Sequence, residues 1–313
     1  MIRKREIVVQ KQEEGRILLD WISLRYTYHA KGKWESLIKE GRIKIDGQEV
    51  ETQRVLKSGE LVIYYPEPII EPPINSEYKV LYEDDDILII NKPCDLPCHP
   101  GGIYFENTLW YLLKKKYDYI SLINRLDRET SGVMLIAKNK ISAKYYFNKM
   151  MEREIDKEYK VLVHGNVTKK IDAKGWLVPD KHSQIRKKRA FILDMSAKQP
   201  TEGIPNKEYA HSLFTPEKTA NGLTLLNCKI FTGRTHQIRA TINSLGFPVV
   251  GDKIYGLDDS YFFKFINDTL TEDEWNKLIL KNQALHSYKT TLPMLGGKTK
   301  IIKAQIPSDW PTK

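Results

Sequence analysis

Two short stretches carry the residue types that could do chemistry. The first is Asn124-Arg125-Leu126-Asp127-Arg128-Glu129-Thr130-Ser131-Gly132. Its Asp127 stands between two arginines. Nearby cations lower a carboxylate's pKa and keep it ionised, as a nucleophile requires. The same Arg-Leu-Asp-Arg run also suits an ordinary surface ion pair. The second stretch is Thr232-Gly233-Arg234-Thr235-His236-Gln237-Ile238-Arg239. Arg234 and His236 fall at a helix start, where the helix dipole disfavours positive groups unless an anion is present. Arg239 sits one turn in, beside the apolar stripe of Ile238, Ile242 and Leu245, so it should point partly inward. A semi-buried arginine needs a carboxylate, and Asp127 is the natural partner. A third group, Cys94, Cys98 and His99, has a metal-like look. It lacks a fourth ligand at plausible spacing and is interrupted by Pro97 and Pro100, so no metal is expected.

The elements that must hold these stretches can be read from periodicity. An apolar strand at 133–137 follows the Asp127 loop, and loops held by rigid elements commonly carry sites. Strands are also expected at 87–91, 158–163 and 223–231. Helices are expected from 107, behind Asn107 as its cap, over 140–152 as a packed helix, and from about 235 to the Gly246 cap. Residues 166–210 are charged and irregular and read as an insertion or long loops. Within them, 181–189 hold five basic residues in nine, a phosphate-tracking strip or a solvated surface.

The chain has 313 residues, enough for one large domain and a small one. Its formal charge of +10 favours an anionic partner such as nucleic acid or a membrane surface. Three cysteines are too few for a disulfide scaffold and suit a reducing cytoplasm. The longest apolar run, 87–90, is strand-sized, so no membrane association is expected. The clearest seam is 66–76, where four prolines in eleven residues make an extended, fairly stiff connector.

Ahead of the seam, residues 14–65 read as a small αβ module. One helix carries Ile17, Leu18, Trp21 and Ile22, and a second spans 33–40 and ends at Gly41. A strand runs into an Asp46-Gly47 hairpin turn, and another strand closes the module at 61–65. This segment resembles the small RNA-binding domain named after ribosomal protein S-four. The match lies in residues 34–47 and 56–60. His29-Ala30-Lys31-Gly32-Lys33 stands where members often carry Ser-Arg-Ser. Lys31, Lys33, Lys39, Arg42 and Lys44 could contact phosphates, or form a solvated basic face.

After the seam, residues 77–313 resemble the RluA family of pseudouridine synthases. Residues 124–132 match that family's His-Arg-Leu-Asp-x-x-Thr-Ser-Gly loop, with Asn124 replacing the histidine. Lys157-Glu158-Tyr159 matches its Lys-x-Tyr strand. Residues 233–239 match Gly-Arg-Thr-His-Gln-Ile-Arg, and 245–256 match Leu-Gly-x-Pro-x-x-Gly-Asp-x-x-Tyr-Gly. Asn91-Lys92-Pro93 and Ala284-Leu285-His286 also fit. The resemblance implies an α+β fold, with a mixed, largely antiparallel sheet in the catalytic domain beside the small RNA-binding domain.

The resemblance also implies an isomerase that breaks a uridine glycosidic bond in RNA, rotates the uracil and rejoins it through carbon, without cofactor or metal. Asp127 would be the catalytic aspartate, with addition and elimination both open. Tyr159 would stack on the base and help move a proton. Arg239 would orient Asp127. Leu285 would be an apolar wall, and Thr130 belongs to the same loop. Arg125 would fill the gap left by a flipped base, and Arg234 and His236 would meet phosphate. The expected partner is structured RNA, ribosomal or transfer, and the expected state a cytoplasmic monomer. His99-Pro100-Gly101-Gly102 has some likeness to transfer-RNA-directed members. Two other classes stay open: a non-catalytic RNA-binding or ribosome-assembly factor, which Asn124 and the 166–210 insertion would suit, and a base-releasing hydrolase.

Overall fold

The computed structural model describes residues 4–27, 29–67, 70–200 and 203–311. It divides into two compact units, residues 1–70 and 71–313.

In the smaller unit, strands β1 (Arg5–Val8), β2 (Ile43–Ile45), β3 (Gln48–Glu49) and β4 (Leu61–Tyr64) form an antiparallel sheet in the order β1-β4-β2-β3. Asp46 and Gly47 both take positive φ, the geometry a two-residue hairpin turn demands. Helices α1 (Leu18–Arg25) and α2 (Lys31–Lys39) bury Trp21, Ile22, Trp34, Leu37 and Ile38 against Ile43 and Val62. Because β1 pairs along β4, the sheet takes in residues ahead of 14, where the sequence pattern begins the module.

The larger unit is built on eleven strands: β5 (Lys79–Glu83), β6 (Ile87–Lys92), β7 (Ser121–Leu122), β8 (Ser131–Ala137), β9 (Asp156–His164), β10 (Ile171–Pro179), β11 (Arg189–Leu193), β12 (Glu208–Ala220), β13 (Leu223–Ile230), β14 (Leu285–Pro293) and β15 (Thr299–Lys303). They join in one sheet, ordered β11-β10-β12-β13-β9-β14-β8-β6-β5, with β7 on β8 and β15 on β14. Among the described residues only the β8–β14 pairing is parallel. The helices are α3 (Leu109–Lys114), α4 (Lys140–Met151), α5 (Gln237–Ser244), α6 (Ser260–Ile266) and α7 (Glu272–Leu278). Strand β8 is buried at every position. Met134 and Ile136 face one core, and Val133, Leu135 and Ala137 face the other, as a period of two requires when both sheet faces are covered.

The structure corrects several expectations. Residues 166–210 are not an irregular insertion, because β10, β11 and the start of β12 extend the main sheet. Ala173, Gly175 and Leu177 alternate inward between charged or half-buried neighbours, and the charges mask that period. The cap of α3 is Thr108, whose Oγ1 accepts from Tyr111 N–H, while the Asn107 amide donates to Pro72 O at 2.8 Å. Helix α4 buries only Ser142, Ala143 and Tyr146. Helices α6 and α7 had no clear periodic signal.

The connector is also less free than its prolines suggest. From residue 71 onward it is tied to the larger unit. Glu71 accepts N–H bonds from Phe105, Glu106 and Asn107 at 2.8–2.9 Å.

Gly132 sits where β8 crosses β14 with φ of 115°, and a Cβ there would lie 2.3 Å from Ser287 O. Gly132→Ala is therefore expected to destabilise by about 3 kcal/mol or more, from backbone strain and displacement of the parallel pair. Denaturant titration of the variant measures this. An unchanged midpoint would mean the strands separate at no cost.

Candidate active site

The loop from Leu122 to Ser131 leaves β7 and returns into β8, and its own backbone folds it tightly. Thr130 N–H donates to Asp127 O at 3.1 Å. Side chains from the 92–98 segment hold the residues on either side of Asp127. The Lys92 ammonium is fully buried and donates to Pro93 O, Leu96 O and Arg128 O at 2.8, 2.9 and 3.1 Å. Burial lowers its pKa to about 8. The Cys98 thiol donates to Leu126 O at 3.0 Å. Asn124 Oδ1 accepts Leu135 N–H at 2.8 Å, next to the Ile123–Leu135 backbone bond. Its amide thus extends the β7–β8 ladder and fixes the base of the loop.

Asp127 keeps a third of its side chain exposed to a cleft of about 910 Å³. Arg239, in the first turn of α5, donates from Nη1 to Asp127 Oδ2 at 2.7 Å. The same guanidinium donates from Nε and Nη2 to both oxygens of Asp252 at 2.6 and 2.7 Å. Asp252 is fully buried and also accepts N–H bonds from Ile254 and Tyr255. Burial disfavours the charge on Arg239, but Asp252 first and Asp127 second outweigh it and hold the guanidinium above its ordinary value. Burial would likewise raise the Asp127 pKa, but Arg239, with His236 and Gln283 adding to it, outweighs burial and holds the carboxyl below its ordinary range.

His236 caps α5 in the left-handed conformation, with φ of 56°. Tyr255 Oη accepts Arg189 N–H at 3.0 Å and lies 2.9 Å from His236 Nδ1. The hydroxyl is thereby assigned as donor to Nδ1, which puts the ring proton on Nε2, 3.9 Å from Asp127 Oδ1. Burial, with Arg239 adding to it, lowers the His236 pKa to about 4, so the ring is neutral at pH 7. Gln283 Nε2 donates to Thr130 Oγ1 at 2.6 Å and lies 3.5 Å from Asp127 Oδ2. Oδ2 is thus occupied. Oδ1 accepts no hydrogen bond among the described residues and is the oxygen left for a reacting atom.

Of the residues singled out from the sequence, Arg125, Asp127, Thr130, Tyr159, Arg234, His236, Arg239 and Leu285 all line this one cleft. The reason expected for a lowered Asp127 pKa is corrected. Neither flanking arginine supplies it. Arg125 is exposed with no ion pair among the described residues, and Arg128 turns to Tyr104 Oη at 2.7 Å and Glu129 at 2.8 Å. Burial raises the Tyr159 phenol well above its usual value, so at pH 7 it is neutral and keeps its proton. Arg234 donates from Nε to Tyr209 O at 3.2 Å.

The sequence reading held Asp252 and Tyr255 within the 245–256 motif but assigned them no role, and it missed Gln283. The signal for Asp252 was a lone carboxylate in an otherwise apolar and glycine-rich run, 245–256. Among the described residues no group of three His, Cys, Asp or Glu side chains could hold a metal ion, and no helix is long and apolar enough to cross a membrane.

In the smaller unit each of the five named basic side chains meets a carboxylate. Lys31 pairs with Asp20, Lys33 with Glu67, Lys39 with Glu35, Arg42 with Glu40 and Lys44 with Glu49, at 2.6–3.3 Å. Such exposed pairs are worth only about 0–1 kcal/mol, so a phosphate can displace them.

Comparison with known proteins converges on one family. Residues 86–244 match the family described as RNA pseudouridylate synthase. The chain is 35% identical over 268 residues to an uncharacterized RNA pseudouridine synthase of Aquifex aeolicus, covering 82% of this chain and 81% of that protein. It is 30% identical to ribosomal large subunit pseudouridine synthase C of Buchnera aphidicola, covering 88% and 85%. It is 31% identical to the mitochondrial tRNA pseudouridine(32) synthase of Saccharomyces cerevisiae, over 72% of this chain and 47% of that one. Its fold is similar to that of human RNA pseudouridylate synthase domain containing 1, with a TM-score of 0.56 at 21% identity, covering 75% and 86%.

Proposed function

This chain belongs to the RluA-type RNA pseudouridine synthases and is an isomerase; from that premise we propose that Asp127 is its catalytic carboxylate, acting on a uridine flipped out of ribosomal or transfer RNA. The observation that carries this reading is the free Oδ1 of an ionised Asp127 at the floor of a cleft wide enough for a base. In the reaction the bond from uracil N1 to ribose C1′ breaks, the ring turns, and a bond from C5 to C1′ forms. The hydrogen on C5 leaves as a proton and N1 gains one, so product and substrate have the same atoms. Nothing is oxidised or reduced, so the chemistry asks for no cofactor.

Each neighbour has a role in this scheme. Arg239, held from behind by Asp252, keeps Asp127 charged and aimed. Tyr159 and Leu285 form the walls against which the uracil stacks. Neutral His236 offers an N–H without adding charge that would quench the carboxylate. Arg125, exposed and unpaired, fits the space the base leaves. Asn124, a feature that would suit an idle binder, makes a regular ladder contact and leaves Asp127 in place. The smaller unit, a two-helix antiparallel module consistent with an S-four-like domain, would add phosphate contacts without sequence selectivity.

The test is tritium release from RNA labelled at uracil C5, with total RNA from cells lacking the gene as substrate. Mapping of pseudouridines with and without the gene then names the target. The Buchnera relative's name points to ribosomal RNA and the yeast relative's to transfer RNA. Free uracil as the product would replace isomerisation by base release.

A further inference from the structure

The cleft continues away from Asp127 toward the end of α4, where its lining changes character. Phe147 is 45% exposed and Met151 80%, four residues apart and so on one helix face. Both line the cleft, as does Phe231, whose ring stacks on His211 with centroids 4.2 Å apart. These are large apolar groups left in water at the rim of a polar site.

The charge beside them is one-sided. Arg153 reaches the Gln199 amide oxygen and Lys157 donates to Met150 Sδ at 3.3 Å, and neither has a carboxylate partner among the described residues. The nearby carboxylates are already engaged. Glu152 and Glu154 hold Lys149 at 3.0 and 2.8 Å, and Asp156 holds Lys229 at 3.0 Å. Burial of Lys157 without an anion lowers its pKa to about 8. In the smaller unit, by contrast, each of the five basic residues named above has a carboxylate of its own.

We propose that this outer end of the cleft is a second nucleotide subsite, which takes an unpaired nucleotide next to the target uridine with its base on Phe147 and Met151 and its phosphate on Arg153 and Lys157. A base supplies a flat π face for the exposed ring, and its phosphate supplies the missing anion. An acidic peptide would answer the charge but not the run of cleft that joins this end to Asp127. The proposal rests on the RNA-modifying reading above and adds to it a grip on the neighbouring nucleotide.

Two measurements test it. Fluorescence anisotropy with a labelled hexauridylate reads binding without turnover. The double variant Phe147→Ala, Met151→Ala should bind it about tenfold more weakly, and Phe147→Trp at least as tightly as the wild type. In the tritium assay the double variant should show KM raised about tenfold, with kcat changed less than about twofold. Thermal unfolding should not move, because both side chains are exposed. Unchanged hexauridylate affinity in the double variant overturns the subsite. So does loss of turnover with that affinity intact, which would assign the patch to a different partner. A wild-type protein that binds hexauridylate but releases no tritium overturns the catalytic reading and leaves the subsite to be judged on affinity alone.

Discussion

Asp127→Asn should abolish tritium release from labelled RNA, by at least about a thousandfold, while the protein stays folded. Asparagine keeps the shape and can still accept the Arg239 N–H through its oxygen, but it has no negative oxygen to offer a reacting carbon. Arg239 loses nothing essential to its burial, since Asp252 neutralises it through two bonds. Stability should therefore fall by no more than about 1 kcal/mol, through loss of the charge that Arg239 favours on Asp127. Turnover in the variant within tenfold of wild type would remove Asp127 from the chemistry. The same geometry sets a pH dependence. The folded Asp127 pKa is depressed, so the carboxylate stays ionised as pH falls past the ordinary carboxylate range. The acid limb of kcat/KM should lie below that range. His236, with its pKa near 4, stays neutral across the pH range in which most assays are run.

The second large effect belongs to a residue that never meets substrate in this scheme. Asp252→Ala should lower stability by about 3–5 kcal/mol, because it leaves a buried guanidinium with one partner in place of two. It should also reduce kcat at temperatures where the variant remains folded. Without Asp252 the Arg239 guanidinium is free to turn fully onto Asp127, occupying both oxygens and covering the one that must react. Chemical denaturation and kcat at low temperature separate the two effects. If Asp252→Ala unfolds early but turns over normally when folded, Asp252 is a stability element only. The conservative Asp252→Asn keeps two acceptor lone pairs and should recover part of the stability but little of the positioning.

Much of this site was legible before any coordinates, for a physical reason. Tyr159 and Arg239 sit on elements with clear periodic signals, β9 and α5, and Asp127 lies in the loop that enters the equally clear β8, whereas Leu285 was reached through the family resemblance alone. An arginine on the edge of an apolar stripe announces that it needs an anion. The partner that dominates Arg239 was not legible, because Asp252 lies in a loop without periodicity and its burial is created by tertiary packing. The pKa reasoning from Arg125 and Arg128 failed for a related cause. Adjacent residues in a tight loop point in different directions, and sequence neighbourhood is a poor guide to charge neighbourhood. In the fold, strands whose alternation was clean, such as 133–137 and 158–163, were readable. Strands β10 and β11 were not: in β10 Asp172 and Lys174 occupy outward positions and Gly175 an inward one, and β11 is a five-residue strand that leaves Ile192 and Leu193 exposed. Helix α4 was readable as a helix but not in its exposure, because the apolar side chains Phe147 and Met151 look from sequence like any core residue.

The pairs that make the site join distant points of the chain. Asp127 meets Arg239 across 112 residues, and Gln283 reaches back 156 to Asp127 and 153 to Thr130. Asp127 and Thr130 share the β7–β8 loop, but no local hairpin or helix pair joins them to Arg239 or Gln283. During refolding from denaturant, secondary structure can recover early from nearby contacts, but the long loops must close before the triad exists. Recovery of turnover should therefore lag behind recovery of helix and strand signal, and catalysis becomes a clock for the last step in closing the sheet.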